Sequence, residues 1–140
     1  MADYRQALGA APPAGTVQVT VFVPSVDRAG QPIDHGYWQE ECLRVLATLF
    51  RGATAFPPGR GAWRDDERGS QLVFEDTALI TSYADPAMLT EKALEALRRF
   101  LHRLGREANQ GEVGVVIGGQ YYGINRYDPR PRDPGGEAEA

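Results

Sequence analysis

The stretch RGAWRDDERGSQLVFEDTALITSY, residues 60–83, decides the fold. Both ends carry aromatic, β-branched and aliphatic residues, and the middle holds Asp65-Asp66-Glu67-Arg68 followed by Gly69-Ser70. Apolar arms around a charged, glycine-bearing centre predict a β-hairpin with a charged connection. Glu75-Asp76 interrupts the second arm and predicts a bulge or bend there. Before the hairpin, 54–56 reads as a short extended segment ended by Pro57-Pro58.

Working outward, each side of the hairpin carries a helix. Upstream, Trp38, Cys42, Val45, Leu46, Leu49 and Phe50 recur at steps of three and four, with Asp34 as N-cap and Gly52 as the stop. Downstream, Leu89, Ala93, Leu97, Phe100, Leu101, Leu104 and Ala108 form a second stripe. Asp85-Pro86 is a strong start for that helix. Further out lie strands. Val17, Val19, Val21 and Val23 alternate with Thr16, Gln18, Thr20 and Phe22, which is the period of a half-buried strand. At the other end, 113–117 reads as a buried strand, and Gly118-Gly119 turns it into 120–124. The order β-α-β-β-α-β predicts an α+β, ferredoxin-like sandwich. Its antiparallel sheet would carry two helices on one face and gain an extra C-terminal hairpin strand. The organisation expected is a flexible arm over 1–15, one domain over 16–127 and a disordered Pro/Gly/acidic tail over 128–140.

Composition narrows the function. The chain has 140 residues and a net charge of −4, and every basic residue except Lys92 is Arg. Acids interleave with these Arg residues, so no basic block offers itself to a phosphate backbone. The RNA-recognition signature Arg/Lys-Gly-Phe-Gly-Phe is missing, so single-stranded RNA binding is the weakest reading. One cysteine makes no internal disulfide, and no Cys/His spacing suits zinc. No apolar run approaches a membrane span. The expectation is a cytoplasmic protein without cofactor or metal.

Three strings, Gly52-Ala53-Thr54-Ala55, Gly61-Ala62-Trp63-Arg64-Asp65-Asp66 and Gly105-Arg106-Glu107-Ala108, carry a resemblance. Over about residues 21–124 the chain resembles a group of small actinobacterial-type bacterial proteins of unknown function with a ferredoxin-like fold. The resemblance implies the fold and brings no catalytic residues with it.

The candidate chemistry is sparse, and no catalytic set is assigned. Cys42 falls mid-stripe and reads as a small buried hydrophobe. His102 falls on the solvent face of its helix and reads as surface decoration. His35 beside Asp34 has the composition of a general-base pair, although a turn role is commoner. Arg60 and Arg64, around Trp63 and between glycines, suit a carboxylate or phosphate. The bland alternative is a solvated hairpin with Trp63 in the core. Tyr121 completes the ligand-binding candidates. The sheet face without helices is the other candidate, with Phe22, Phe74 and Tyr122 as interface residues. An uncovered apolar face predicts a homodimer. The leading expectation is therefore a non-catalytic binding module, with a protein or small molecule as partner, that self-associates through this face. The alternative is a small cofactor-independent enzyme of the dimeric α+β barrel type, an oxygenase or isomerase, with a pocket between helices and sheet.

Overall fold

The computed structural model describes residues 2–130. In chain order it contains α1 (Tyr4–Leu8), β1 (Val17–Pro24), α2 (His35–Phe50), β2 (Thr54–Ala55), β3 (Gly59–Asp65), β4 (Gln71–Ala84), α3 (Glu91–Glu107), β5 (Val113–Ile117) and β6 (Gln120–Ile124). The strands form one antiparallel sheet in the order β2-β4-β1-β5-β6, and β3 pairs with β4 beyond β2. Treating β2 and β3 as one interrupted strand gives the ferredoxin-like arrangement, with β6 as the added strand. The tail beyond residue 130 lies outside the described residues.

The valine alternation of β1 works as the sequence requires. Val19, Val21 and Val23 are fully buried and meet Ser82, Ile80 and Ala78 of β4 on the helix side. Helix α2 lays Trp38, Cys42, Leu46 and Phe50 on that face, and α3 adds Ala93, Leu97, Phe100, Leu101 and Leu104. Arg103 joins the two helices. It donates to Glu41 at 2.7 Å and to the Tyr37 hydroxyl at 3.2 Å, while its guanidinium lies 4.8 Å from the Trp38 ring centre. No helix is long and apolar enough to cross a membrane among the described residues.

Several local expectations need correction. Asp85-Pro86 starts only a single 3₁₀ turn, Pro86–Met88, with Asp85 accepting from the Ala87 N–H at 2.9 Å. Leu89 then leaves helical geometry, and α3 begins after Thr90, whose hydroxyl accepts from the Ala93 N–H at 3.1 Å. Helix α2 ends on Arg51 in the left-handed conformation, at φ 74°, one residue before Gly52. Outside these corrections, the 1–15 segment carries the one-turn helix α1, capped by Asp3 and Gly9, which buries no residue and leaves the expectation of an arm as it stood.

The bulge is also misplaced in the sequence reading. Strand β4 runs unbroken through Glu75-Asp76. The extra residue sits opposite, at Pro57-Pro58. Thr54 pairs with Thr81 and Ala55 with Ile80, whereas Gly59 pairs with Thr77, so β2–β3 spends one residue more than β4. Proline cannot donate to the ladder, which explains why the break falls there. A one-residue slip exchanges the two faces of everything downstream. Trp63 is thereby turned to the open face, and Arg60 and Arg64 to the helix side.

Candidate functional site

Beyond the Pro24–Thr77 pairing, β1 ends while β3 and β4 continue. Their extension, 59–65 with 71–77, is a two-stranded arm about 20 Å long at ~3.3 Å per residue. Its tip is tied by Arg64, which grips Asp66 at 2.6 and 3.2 Å, and by Arg68 beside Asp65 at 3.6 Å. Arg60 lies over the Phe74 ring at 5.2 Å. Because the 59–61 segment is regular strand, it forms no loop of converging N–H groups for an anion.

Alternation through the arm fixes two faces. Gly61, Trp63, Val73 and Glu75 continue the open sheet face, while Arg60, Ala62, Arg64, Leu72 and Phe74 point to the other side. Trp63 is 50% exposed and so is not a core residue. Phe74, named as an open-face residue, lies on the opposite side, because β4 runs unbroken and Phe74 keeps the phase of Ala78 and Ile80. Tyr122 needs the same correction. The Gly118-Gly119 turn, with φ of 59° and 83°, pairs Val116 with Tyr121 and Val115 with Tyr122. Consecutive strand residues point apart, so only Tyr121 joins Phe22 on the open face, with ring centres 6.0 Å apart.

The open face thus carries Phe22, Phe56, Trp63, Leu79, Tyr83 and Tyr121 around Thr20 and Thr81, whose hydroxyls hydrogen-bond at 2.9 Å. Tyr121 donates to Glu112 at 2.8 Å, and burial together with that carboxylate pushes its hydroxyl up to about 12. Sequence reasoning missed Leu79, Tyr83 and Glu75. The signal was present, because Thr77, Leu79, Thr81 and Tyr83 alternate with the buried Ala78, Ile80, Ser82 and Ala84.

Glu75 stands opposite Gly61 and diagonal to Trp63, with Thr77 next along the face. Gly61 leaves a notch there: a Cβ in its place would meet only the Glu75 carbonyl at 3.6 Å and the Thr77 hydroxyl at 3.7 Å. Burial raises the Glu75 carboxyl above its ordinary value, and no cation among the described residues pairs with it. A partly buried carboxylate diagonal to an indole on one sheet face suits a positively charged group.

The remaining candidates do not converge. His35 shares a hydrogen bond with the Val23 carbonyl at 3.0 Å, and Asp34 is occupied by the Tyr37 N–H at 3.1 Å. They do not act as a pair. Cys42 is fully buried, and burial raises its thiol far above the ordinary range. His102 is not surface decoration. It is 7% exposed because 127–128 folds back over α3. The Asp128 N–H donates to His102 Nδ1 at 2.7 Å, Arg98 holds the Asp128 carboxylate at 2.8 and 2.9 Å, and Arg106 donates to the Asp128 carbonyl at 2.7 Å. Residue 128, the first of the expected tail, is thus held on α3.

Two grooves mark the surface. One, of about 370 Å³, lies between α3 and the β5–β6 hairpin and is lined by Leu94, Leu97, Leu101, Val115, Tyr122 and Ile124, with Arg98 at its rim. Its lining is nearly all apolar, and His35, Arg60, Arg64 and Tyr121 do not line it. The other, of about 410 Å³, lies at the β2 edge between Phe56 and Tyr83, with Thr54 and Thr81 between them. No group of three or more metal-ligating side chains gathers among the described residues.

No protein-family model matches the sequence, and no curated protein matches it either. Solved structures do match in fold. A phage SAM lyase in complex with S-methyl-5′-thioadenosine is similar at a TM-score of 0.57 and 17% identity, over 81% of this chain and 92% of that one. The same kind of enzyme in its apo state is similar at 0.54 and 17%, over 83% and 94%. At this identity the likeness speaks for the fold.

Proposed function

We propose that this protein is a cytoplasmic binding module that self-associates through its open sheet face. The observation that supports it is the apolar content of that face. Phe56, Trp63, Leu79, Tyr83 and Tyr121 are each between about two-fifths and three-fifths exposed. At ~200 Å² per large side chain, they present about 500 Å² of apolar surface. A stable interface takes about 800 Å² from each partner, so a second copy would find most of its contact area here. Light scattering and native mass spectrometry at micromolar concentration test this. The wild type should form a discrete oligomer, and Leu79→Glu, at the centre of the face, should reduce it to monomer. A monomeric wild type, or an oligomer indifferent to Leu79→Glu, overturns the proposal.

A second reading, a small enzyme acting on a sulfonium substrate, draws support from the notch of Glu75, Gly61 and Trp63 together with the fold shared with the SAM lyase. A carboxylate and an indole would hold the positive sulfur of SAM. Attack of the substrate's own carboxylate on its γ-carbon would close a lactone as the bond from that carbon to sulfur breaks, and the bonding pair would leave on sulfur as the neutral thioether S-methyl-5′-thioadenosine. Chromatography of SAM incubated with the protein should show that product, and Glu75→Gln should lower its rate at least tenfold. No release, or release unaffected by Glu75→Gln, overturns this reading.

A further inference from the structure

After β6 the chain returns to α3 and lays Tyr127-Asp128 over its outer side as a strap. There Asp128 meets three side chains one helical turn apart, Arg98, His102 and Arg106. The two arginines stay charged and donate to its carboxylate and its carbonyl. His102 differs on both counts, because it titrates near neutrality and because it accepts. Its Nδ1 takes the Asp128 N–H at 2.7 Å, so the ring is neutral and carries its proton on Nε2. A backbone N–H is always a donor. Once Nδ1 gains a proton, two N–H groups face each other and the bond is lost.

We infer that the strap is a latch, held shut by neutral His102 and released when that ring is protonated. The charged groups around the ring bear on this from both sides. From the strap, the Asp128 carboxylate stands 3.4 Å from Nδ1 and favours the charged ring, but Arg98 already shares its charge. From α3 itself, Arg98 and Arg106 oppose the charged ring, and burial opposes it most. At the far end of the strap, Arg28 of the β1–α2 loop and Glu112 before β5 act on Tyr127 with opposite signs. The net balance lowers the affinity of His102 for a proton while the strap is closed. With the strap away, helical spacing returns the ring to solvent, where it titrates near about pH 6.5. The open form therefore binds the proton more tightly, and acid favours it by at most about tenfold per pH unit. Release also frees Arg98 and Arg106 from Asp128. Helix α3 then presents three cations about 6 Å apart, a basic edge that the closed strap conceals. The strap lies on the helix side of the sheet, so the inference is independent of self-association through the open face.

NMR on the isotope-labelled full chain tests it. At pH 7.5 His102 should carry its proton on Nε2 alone. Protection of the Asp128 amide, corrected for the intrinsic exchange rate, should lie at least about tenfold below that of Leu101 in α3, because the strap opens while the helix stays folded. Between pH 7.5 and 5 the Asp128 protection should fall at least about threefold. His102→Asn puts an acceptor that does not titrate near the Nδ1 position and should hold the protection level over that range. His35→Gln removes the other histidine and should leave the wild-type fall intact. A proton on Nδ1 at pH 7.5, an Asp128 protection equal to that of Leu101, or one that ignores pH overturns the inference. So does a folded His102→Asn chain that loses protection as the wild type does, or a His35→Gln chain that does not. If His102→Asn fails to fold, the wild-type and His35→Gln measurements decide.

Discussion

Gly105→Ala should destabilise the protein, against the usual rule for helices. Gly105 is buried near the C-terminal end of α3. Replacing a helical glycine by alanine normally gains about 1 kcal/mol. Here the new methyl would fall inside the Tyr127 ring. That ring packs against the core, meets His102 edge-on at 6.0 Å, and its hydroxyl donates to the Gln110 carbonyl at 2.8 Å. Displacing it forfeits a hydrogen bond of about 1 kcal/mol, an aromatic contact of about 1 kcal/mol and about 1.5 kcal/mol of burial. Setting the helix gain against these losses leaves a net loss of about 2.5 kcal/mol. For a domain of this size that is a drop in Tm of about 9 °C. The control is the same substitution in a Tyr127→Ala background. There the clash is gone, and Gly105→Ala should stabilise by about 1 kcal/mol. Urea unfolding followed by circular dichroism on the four chains gives the cycle. The reasoning is refuted if Gly105→Ala stabilises both backgrounds alike, since Tyr127 would then not be packed on the helix.

Three further outcomes follow from the charges. Glu75 has a folded-state pKa above its unfolded value, so the folded state binds its proton more tightly and loses stability as pH rises through that range. Glu75→Gln should therefore raise the Tm at pH 7 and leave it unchanged near pH 3; an equal gain at both would place the effect elsewhere. His102 is shifted the other way, down, by burial and by Arg98 and Arg106, with Asp128 opposing. Its unfolded form takes up a proton first, near pH 6.5, so stability is lost as pH falls from there through the folded value. His102→Gln should flatten the fall of the urea midpoint between pH 7 and 5, and a slope as steep as wild type would contradict this. Arg103→Lys should lose about 1–2 kcal/mol in chemical denaturation, because an ammonium does not reproduce the planar stack on Trp38 together with the bonds to Glu41 and Tyr37. A loss under about 0.3 kcal/mol would show the stack to be incidental.

What the sequence made legible is what local periodicity encodes. The valines of β1, the stripes of α2 and α3 and the Gly118-Gly119 turn each follow from spacing over a few residues, and together they set the order of elements. Phe22 and Tyr121 were legible as open-face residues by counting from Val21 and from the turn. Tyr122 was open to the same count, since it adjoins Tyr121 and must point away from it. His102 was not legible. Helical spacing puts it on the outer side of α3, and only Asp128, 26 residues later, buries it. Phe74 was lost to an expected break at Glu75-Asp76 that β4 does not contain, and Trp63, Arg60 and Arg64 to one unrecognised insertion in the partner strand. Propensity shows that Pro57-Pro58 breaks a strand. Whether the strand resumes in phase depends on which partner residue each side meets, and that pairing is non-local.

That insertion is also a removable joint. Ala55 meets Ile80 and Gly59 meets Thr77, with the Phe56 N–H on the Leu79 carbonyl, so two prolines stand against Ala78 alone. Deleting one of them would leave the other opposite Ala78 and let β2 and β3 run as one continuous strand. Every β3 side chain would keep its present partner on β4, and cross-strand partners share a face. Trp63 would stay on the aromatic sheet face, and Arg60 and Arg64 on the other. The spare residue therefore sets the local bend between sheet and arm, while the pairing with β4 decides which surface each hairpin side chain serves.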